Sequence, residues 1–588
     1  MSTPEKQPPP SYQSSEKGRF HYSKKSTYAQ VLVALLQNWL LLDFGMMLAM
    51  PAIVLGSLHN HPSEELCLND AQASWFGSIL FFSHPLGSLC SGFFQEQFGR
   101  KGSMMLVNIP IFIAWITLYF AESVYALYFV ALTMGLGIGF DEAPLHSYIG
   151  EMGEPHLRGT LCALLCAASF FGTLVMYFIG YLVPWRTAAL ISSAVPIITV
   201  VCMSQIPESP TWLVMQGRLK DAQKSLCWLR GWTEPQVIRA EFEQLCSYAK
   251  ISPNPDQEKN PEKEKYELVP GNDNGEKVSP EEEESYLKTK FKELTDKKLL
   301  LPLRMVFIVF IFCHATQLTA MRPYMVGILD EFGFPVDSKL VLIVTGASVF
   351  AGTTMNMLFL RKFGKRKMTL TSQGMSALCI LLLGVYCSFY DRSNRTLSLA
   401  WMPVALMLFA SFFGGLSLAL LPWQLLSEVF PLNHTYFHVE FISTRHLKPK
   451  VNTSYRNRED VCGITTKMRL NTYRAEIRDI IISRGRRIYL HFKGGRGAAG
   501  GISAAWAYYV SFAMSKTYLY LEHWIKLNGV FFFYGGITLC GFLYFLRNLP
   551  ETEGKSLEQI ESYFTKNYDR REMFSKPKRS KSYRVPPR

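Results

Sequence analysis

Four ionisable residues stand where few are expected: Asp43, Asp141, Glu142 and Arg322 all fall within long apolar runs. A charge at membrane depth is costly unless paired or hydrated, so these groups mark either structural ion pairs or a gate or clamp for a polar solute. A second set lies at the ends of such runs: Glu96, Arg100, Glu151, Arg158, Glu208, Glu428 and Arg496. Acids and bases on different helices can pair at a half-wet boundary and latch one side shut until the helices move; the plainer reading is charges that only orient the chain. A third set, His314, Thr316, Gln317 and Thr319, occupies one run, and His314 and Gln317 share a face if that run is helical. A Gln amide donates and accepts at once, which suits neighbouring hydroxyls, whereas a lone His in such a run is commonly a packed, hydrogen-bonded residue. With no nucleophile–base pair, metal-ligand cluster or phosphate loop beside them, the sequence does not read as an enzyme and implies no metal or cofactor.

The elements that must position these residues follow from composition. The 588 residues are 48% apolar and 14% aromatic, too long for one soluble core, and the apolar residues cluster in runs. Runs of about 18 to 25 residues with few charges predict helices near 28–56, 72–95, 103–121, 124–147, 159–182 and 185–205, then 302–329, 338–360, 368–390, 398–426, 498–517 and 524–546. The expected fold is an all-α membrane protein of twelve transmembrane helices in two six-helix halves, with short cytoplasmic helices. Basic clusters at Arg100-Lys101, Arg158 and 361–367 fall in every second connection, and SLHNHPSEELCLND has no Lys or Arg, so both termini are expected in the cytoplasm. No cleavable leader is expected, because residues 1–27 are polar and rich in Pro and Ser. The net charge of +14 reads as loops beside an anionic bilayer surface rather than as nucleic-acid binding, and no obligate protein partner is implied. Most of the twelve cysteines lie inside apolar runs, as small packing residues rather than a disulfide or zinc framework.

The organisation reads as a tail at 1–27, a half at 28–205, a linker at 206–301, a second half at 302–546 and a tail at 547–588. In the linker, Trp212, Leu213, Leu219, Ala222, Leu226 and Leu229 have helical spacing, while the charged stretch after them suits disorder. Phe98-Gly99-Arg100-Lys101 and Phe363-Gly364-Lys365-Arg366 hold equivalent places in the two halves, the mark of parallel repeats.

GFFQEQFGRK (92–101), YIGEMGEPHLRG (148–159), PESPTWLV (207–214), LPWQLLSEVFP (421–431) and LPETEGKS (549–556) stand in order along the chain. On these motifs the sequence resembles a sugar porter of the major facilitator superfamily, and within it the insect facilitated trehalose transporter-like proteins. The resemblance implies a plasma-membrane facilitator of a sugar, trehalose or a hexose, working by alternating access. It also implies a cavity lined by the first, fourth, seventh and tenth helices, with Trp423 as the aromatic floor. The pocket departs from the family: Cys166 replaces a Gln, and CHATQLT at 313–319 replaces a Gln-rich motif. Proton-linked relatives carry an Asp after the Phe-Gly of the first helix, but here Phe44-Gly45 is followed by Met46 and Asp43 precedes the pair. Facilitated diffusion is favoured, with a proton-coupled symporter, a non-transporting nutrient sensor or an inactive splice product as the alternatives.

Residues 433–494 do not fit that pattern. Family members pass from Glu-x-Phe-Pro to Arg-Gly within a few residues, but here Glu428 and Arg496 are separated by a segment holding thirteen Lys/Arg against five Asp/Glu, with no span-length apolar run. It reads as an insertion, a retained intron or gene-model error, with a basic loop binding acidic lipid as the alternative. A poorly ordered cytoplasmic excursion is expected. Asn394 is the one sequon expected on the outer side and glycosylated, while Asn433 and Asn452 are expected inside and unmodified.

Overall fold

The computed structural model describes residues 24–60, 66–154, 157–248, 297–332, 336–389, 401–429, 437–443, 486–492 and 495–553, with positions 555, 560, 563, 564, 573 and 574 beyond. The tail before residue 24, most of the charged linker, residues 444–485 and all three sequons lie outside the described residues.

Twelve spans thread the bundle. The first is Lys24–Leu58. Helix Asp70–Leu106 starts at a capping box, Asn69 receiving the Gln72 amide and Gln72 returning to the Asn69 N–H, so two orphan donors of its first turn are satisfied. It breaks at Gly99 (φ 82°, ψ 178°), which parts the second span from the third, completed by Asn108–Tyr119. Val124–Met152, capped by Ser123, Arg158–Leu182 and the pair Trp185–Ser192 and Ala194–Ser204 finish the first half.

The second half opens with Lys297–Thr316, which does not run on to 329 as expected. The chain turns through residues 317–321, with Leu318 left-handed at φ 51°, then resumes as a short turn Arg322–Tyr324 and a helix Met325–Glu331. Pro323 bears on this: it has no N–H to give a continuing helix, and its ring disfavours helical backbone in the residue before it. Ser338–Phe363, Lys365–Phe389 and a tenth span with a π-segment at Gly414–Leu418 between Trp401–Phe413 and Leu421–Val429 follow. Helix Gly495–Asn548 carries the last two spans, parted at Lys526 (φ 58°).

The linker forms helices Pro210–Met215, Leu219–Leu229 and Arg239–Tyr248 around a small core of Trp212, Leu213, Ala222, Leu226 and Phe242. Arg230 ties them to the bundle, bonding Glu241 and the carbonyl of Met152.

One feature is not helical. Strands β1 (Phe437–Ser443) and β2 (Arg486–Phe492) pair antiparallel, Phe437 opposite Phe492 and Ser443 opposite Arg486. Residues 437–443 and 486–492 of the expected poorly ordered excursion are therefore paired, and the rest of it lies outside the described residues. The register sets Phe437, Val439 and Phe441 opposite Phe492, Leu490 and Ile488, and apolar residues alternate along both strand sequences, a pattern that favours a ladder over coil.

Candidate functional site

The halves meet tightly at the end of the bundle away from the basic loops. Ser74 donates to the Lys516 carbonyl (2.7 Å), Ser515 to the Gly77 carbonyl (3.1 Å), and Tyr324 to the Ala73 carbonyl (3.4 Å). Tyr324 also stacks on Tyr518 at 4.9 Å, and the Lys516 ammonium sits 3.9 Å over the Trp75 ring. Each short polar contact spans the seam, so this face is closed.

Below the seam lies a central cavity of about 190 Å³, bordered by residues of both halves including Asp141, Glu142, His146, Cys166, His314, Gln317, Thr319, Arg322, Trp423 and Tyr508. Its volume has room for on the order of ten water molecules. His146, one turn beyond Glu142 toward the basic-loop end, is exposed, so the cavity opens that way. A smaller chamber of about 60 Å³ adjoins it beside Thr316, Gln317 and Arg322.

The break in the seventh span changes how its polar residues are presented. His314 lies in the last helical turn and Gln317 in the first non-helical residues, so they do not share one helix face, yet both line the cavity. The His314 Nδ1 is 3.4 Å from the Thr319 hydroxyl and 3.3 Å from that of Ser511. Thr316 borders only the smaller chamber, and its hydroxyl is taken up by the Phe312 carbonyl (2.7 Å) and the Gln373 amide (2.9 Å). Trp423 packs edge-on against Phe310 at 5.3 Å and tilts toward Tyr508 at 6.0 Å, leaving one wall of the cavity aromatic.

The four intramembrane charges separate into distinct settings. Glu142 accepts the Tyr508 hydroxyl at 2.9 Å from the opposite half and lies 3.7 Å from the His84 Nε2, while the His84 ring stacks on Tyr508 at 3.4 Å. This joins the halves at mid-depth. Asp43 does not face the cavity: it is buried with one oxygen on the Trp115 indole N–H (3.0 Å). Asp141 is buried within electrostatic reach of Asp43, and each of the two carboxylates has an oxygen without a hydrogen-bond partner. Arg322 borders both chambers from the turn beneath the closed face.

At the basic-loop end the charged residues form one network in each half. Glu208 accepts the backbone N–H groups of Arg100 (3.1 Å), Lys101 (3.1 Å) and Gly102 (3.4 Å), the exposed donors at the start of the third span. Arg100 reaches Glu151 (2.8 Å), which also receives the Ser209 hydroxyl. The second half repeats this: Glu551 accepts from Lys365 (3.0 Å) and Arg366 (3.2 Å), and the Lys365 ammonium pairs with Glu428 and with Glu553 (3.8 Å). Both helix starts are uncovered by a glycine in a backbone region other residues rarely enter, Gly99 at φ 82° and Gly364 at φ 85°.

The bonds of these networks tie helices within a half, and they coexist with a closed opposite face. Glu96 contributes its carbonyl, to Trp212 and Gln216. The side chains of Arg158 and Arg496 lie outside the described residues. Sequence reasoning missed Lys365 and Glu551 although both stand in quoted motifs, and the parallel between PES at 207–209 and PET at 550–552 was the available signal. It also missed His84, which stands singly in an apolar run, and Tyr508, one of an adjacent Tyr pair in an aromatic stretch; neither carries a distinguishing pattern.

The family model for "Sugar (and other) transporter" matches residues 19–438 and 491–564, and its gap falls within the inserted segment. The facilitated trehalose transporter Tret1 of Polypedilum vanderplanki is 24% identical over 536 residues, covering 91% of this chain and 88% of that protein. That of Culex quinquefasciatus is 24% identical over 541 residues, covering 91% and 86%. Among solved structures, the proton:xylose symporter XylE bound to 6-bromo-6-deoxy-D-glucose aligns at TM-score 0.59 and 17% identity over 92% of this chain and all of that one. An inward-open XylE from E. coli aligns at TM-score 0.60 and 17% identity, covering 91% and 99%.

Proposed function

We propose, from the premise that this chain belongs to the sugar (and other) transporter family, that it carries trehalose or a hexose across the plasma membrane by facilitated, alternating access. The observation that carries this reading is the central cavity between two halves, sealed on one face and open on the other, with an aromatic wall and amide and hydroxyl groups beside it. Trp423 offers a flat surface to a sugar ring, and Gln317, Thr319 and His314 offer donors and acceptors to its hydroxyls. Thr316 acts one layer behind, holding the broken span to Gln373.

The basic loops and both termini face the cytoplasm in this reading, so the structure represents an inward-facing form. The paired networks around Glu208 and Glu551 then act as rigid collars that let each half rock as a unit. A latch between halves, formed by Arg158, Glu428 or Arg496 with partners across the seam, belongs to the outward-facing form. Uptake of labelled trehalose and glucose into expressing oocytes tests the proposal: saturable uptake above uninjected cells is expected. Its absence from cells with confirmed surface protein would favour the sensor or inactive-product reading.

A second reading, proton-coupled symport, rests on Asp43 and Asp141. Two buried carboxylates near each other, each with an unbonded oxygen, are costly as a pair of charges and are relieved by taking up a proton. An inward proton gradient that accelerates uptake in wild type and not in Asp43→Asn would establish it.

A further inference from the structure

Arg322 carries five N–H donors and no acceptor, and it borders both chambers of the cavity. It takes part in none of the hydrogen bonds or ion pairs formed among the described residues. Its electrostatic neighbours are His314 and Tyr177, neither of which supplies a negative charge as a neutral ring. Neither carboxylate of the site pairs with it among the described residues. Glu142 already holds the Tyr508 hydroxyl and neighbours His84, one to two turns from the open mouth, and Asp141 is buried toward Asp43.

The cavity is therefore polarised. Its closed end presents a guanidinium with no counter-ion among the described residues, and its open end presents Glu142, held by Tyr508, and the buried Asp141. A guanidinium held at membrane depth without an anion is costly, and the cost is removed by a ligand carboxylate, which the planar fork of Arg grips with two parallel hydrogen bonds. A neutral hydroxyl has a single oxygen and no charge, so it cannot match the fork and leaves the guanidinium uncompensated.

We infer that the solute is anionic, a hydroxylated ring bearing a carboxylate as in a hexuronate, with its carboxylate on Arg322 and its ring against Trp423, Gln317 and Thr319. This rests on the sugar-transport reading and narrows it. Arg322 stands immediately before Pro323 and Tyr324, the residues that close the far face against Gly77 and Tyr518, so the carboxylate would be held directly beneath the closed seam.

The test uses the full-length chain in proteoliposomes, with initial uptake of labelled glucuronate, glucose and trehalose measured for wild type, Arg322→Gln and Arg322→Lys. Wild type is expected to prefer glucuronate over glucose at least tenfold in kcat/KM. Arg322→Gln is expected to lower that ratio at least tenfold, and Arg322→Lys, which keeps the charge but not the fork, to restore part of it. Uptake of glucose or trehalose with no preference for glucuronate would overturn the inference while leaving sugar transport standing. An Arg322→Gln variant that keeps the wild-type ratio would also overturn it. No uptake of any of the three would overturn the transport reading and this one together.

Discussion

Replacing Gly99 with Ala tests whether the carboxylate collar of the first half holds it rigid. Gly99 sits at φ 82°, ψ 178°, a region that costs other residues about 1 to 3 kcal/mol. An added Cβ would also stand 2.3 Å from the Glu208 Oε2, inside any tolerable contact, so the carboxylate must withdraw from the N–H groups of Arg100, Lys101 and Gly102. A hydrogen bond to a charged group contributes about 1.5 to 3 kcal/mol, and water replaces part of it at this half-exposed site, so the combined loss is on the order of 3 to 5 kcal/mol. The mirror substitution Gly364→Ala meets Glu551 Oε2 at 2.4 Å and should cost the same. Glu208→Gln keeps an acceptor in place and should cost about 1 kcal/mol, through loss of charge alone. Thermal unfolding of the detergent-solubilised protein, followed by intrinsic fluorescence, ranks the three. The two glycine variants should melt well below wild type, with Glu208→Gln between. If Gly99→Ala and Gly364→Ala both melt with wild type, the collars do not hold each half rigid and the reasoning fails.

Four further outcomes are expected. Tyr508→Phe removes the 2.9 Å bond to Glu142 that crosses the seam, worth about 1.5 to 3 kcal/mol; amide exchange in 70–78 and 515–520 should quicken, and unchanged exchange would make the bond incidental. Trp423→Ala and Gln317→Ala should each weaken transport by about 1 to 3 kcal/mol in kcat/KM, through lost stacking and hydrogen bonding, whereas wild-type kinetics in both would place the solute elsewhere. Excising 437–492 should leave membrane insertion and uptake within about twofold of wild type, since the ladder already brings its ends together; loss of uptake from a correctly inserted product would make the segment functional. Asn394 should carry glycan in membrane-inserted protein and Asn452 none, read as a glycosidase-sensitive mobility shift; glycan at Asn452 would reverse the topology.

The spans were legible because hydrocarbon demands long apolar runs, and a run such as 124–147 leaves no other reading. The breaks within them were less so, although Pro323 signals the one in the seventh span. Leu318 takes a left-handed backbone with a side chain that gives no hint of it, and the π-segment at Gly414–Leu418 lies in a run whose apolar count is uniform. Charges were legible as a class, since Asp43 and Arg322 stand out from their surroundings. Their partners were not: Asp43 finds Trp115 from a different span, and Glu142 finds Tyr508 from the other half. Contacts between distant helices depend on rotation about each axis, which hydropathy does not encode. The collar around Glu551 was within reach, because repetition of the first half's motifs implies repetition of their contacts.

The β1–β2 pair gives this chain a stem. With Phe437 directly across from Phe492, the chain leaves at Ser443 and returns at Arg486 through two adjacent strands. Such a stem is a ready port for protein engineering. A circularly permuted fluorescent protein spliced between Ser443 and Arg486 would be carried at the junction of the tenth and eleventh spans, where its brightness could report the rocking of the second half in a living cell.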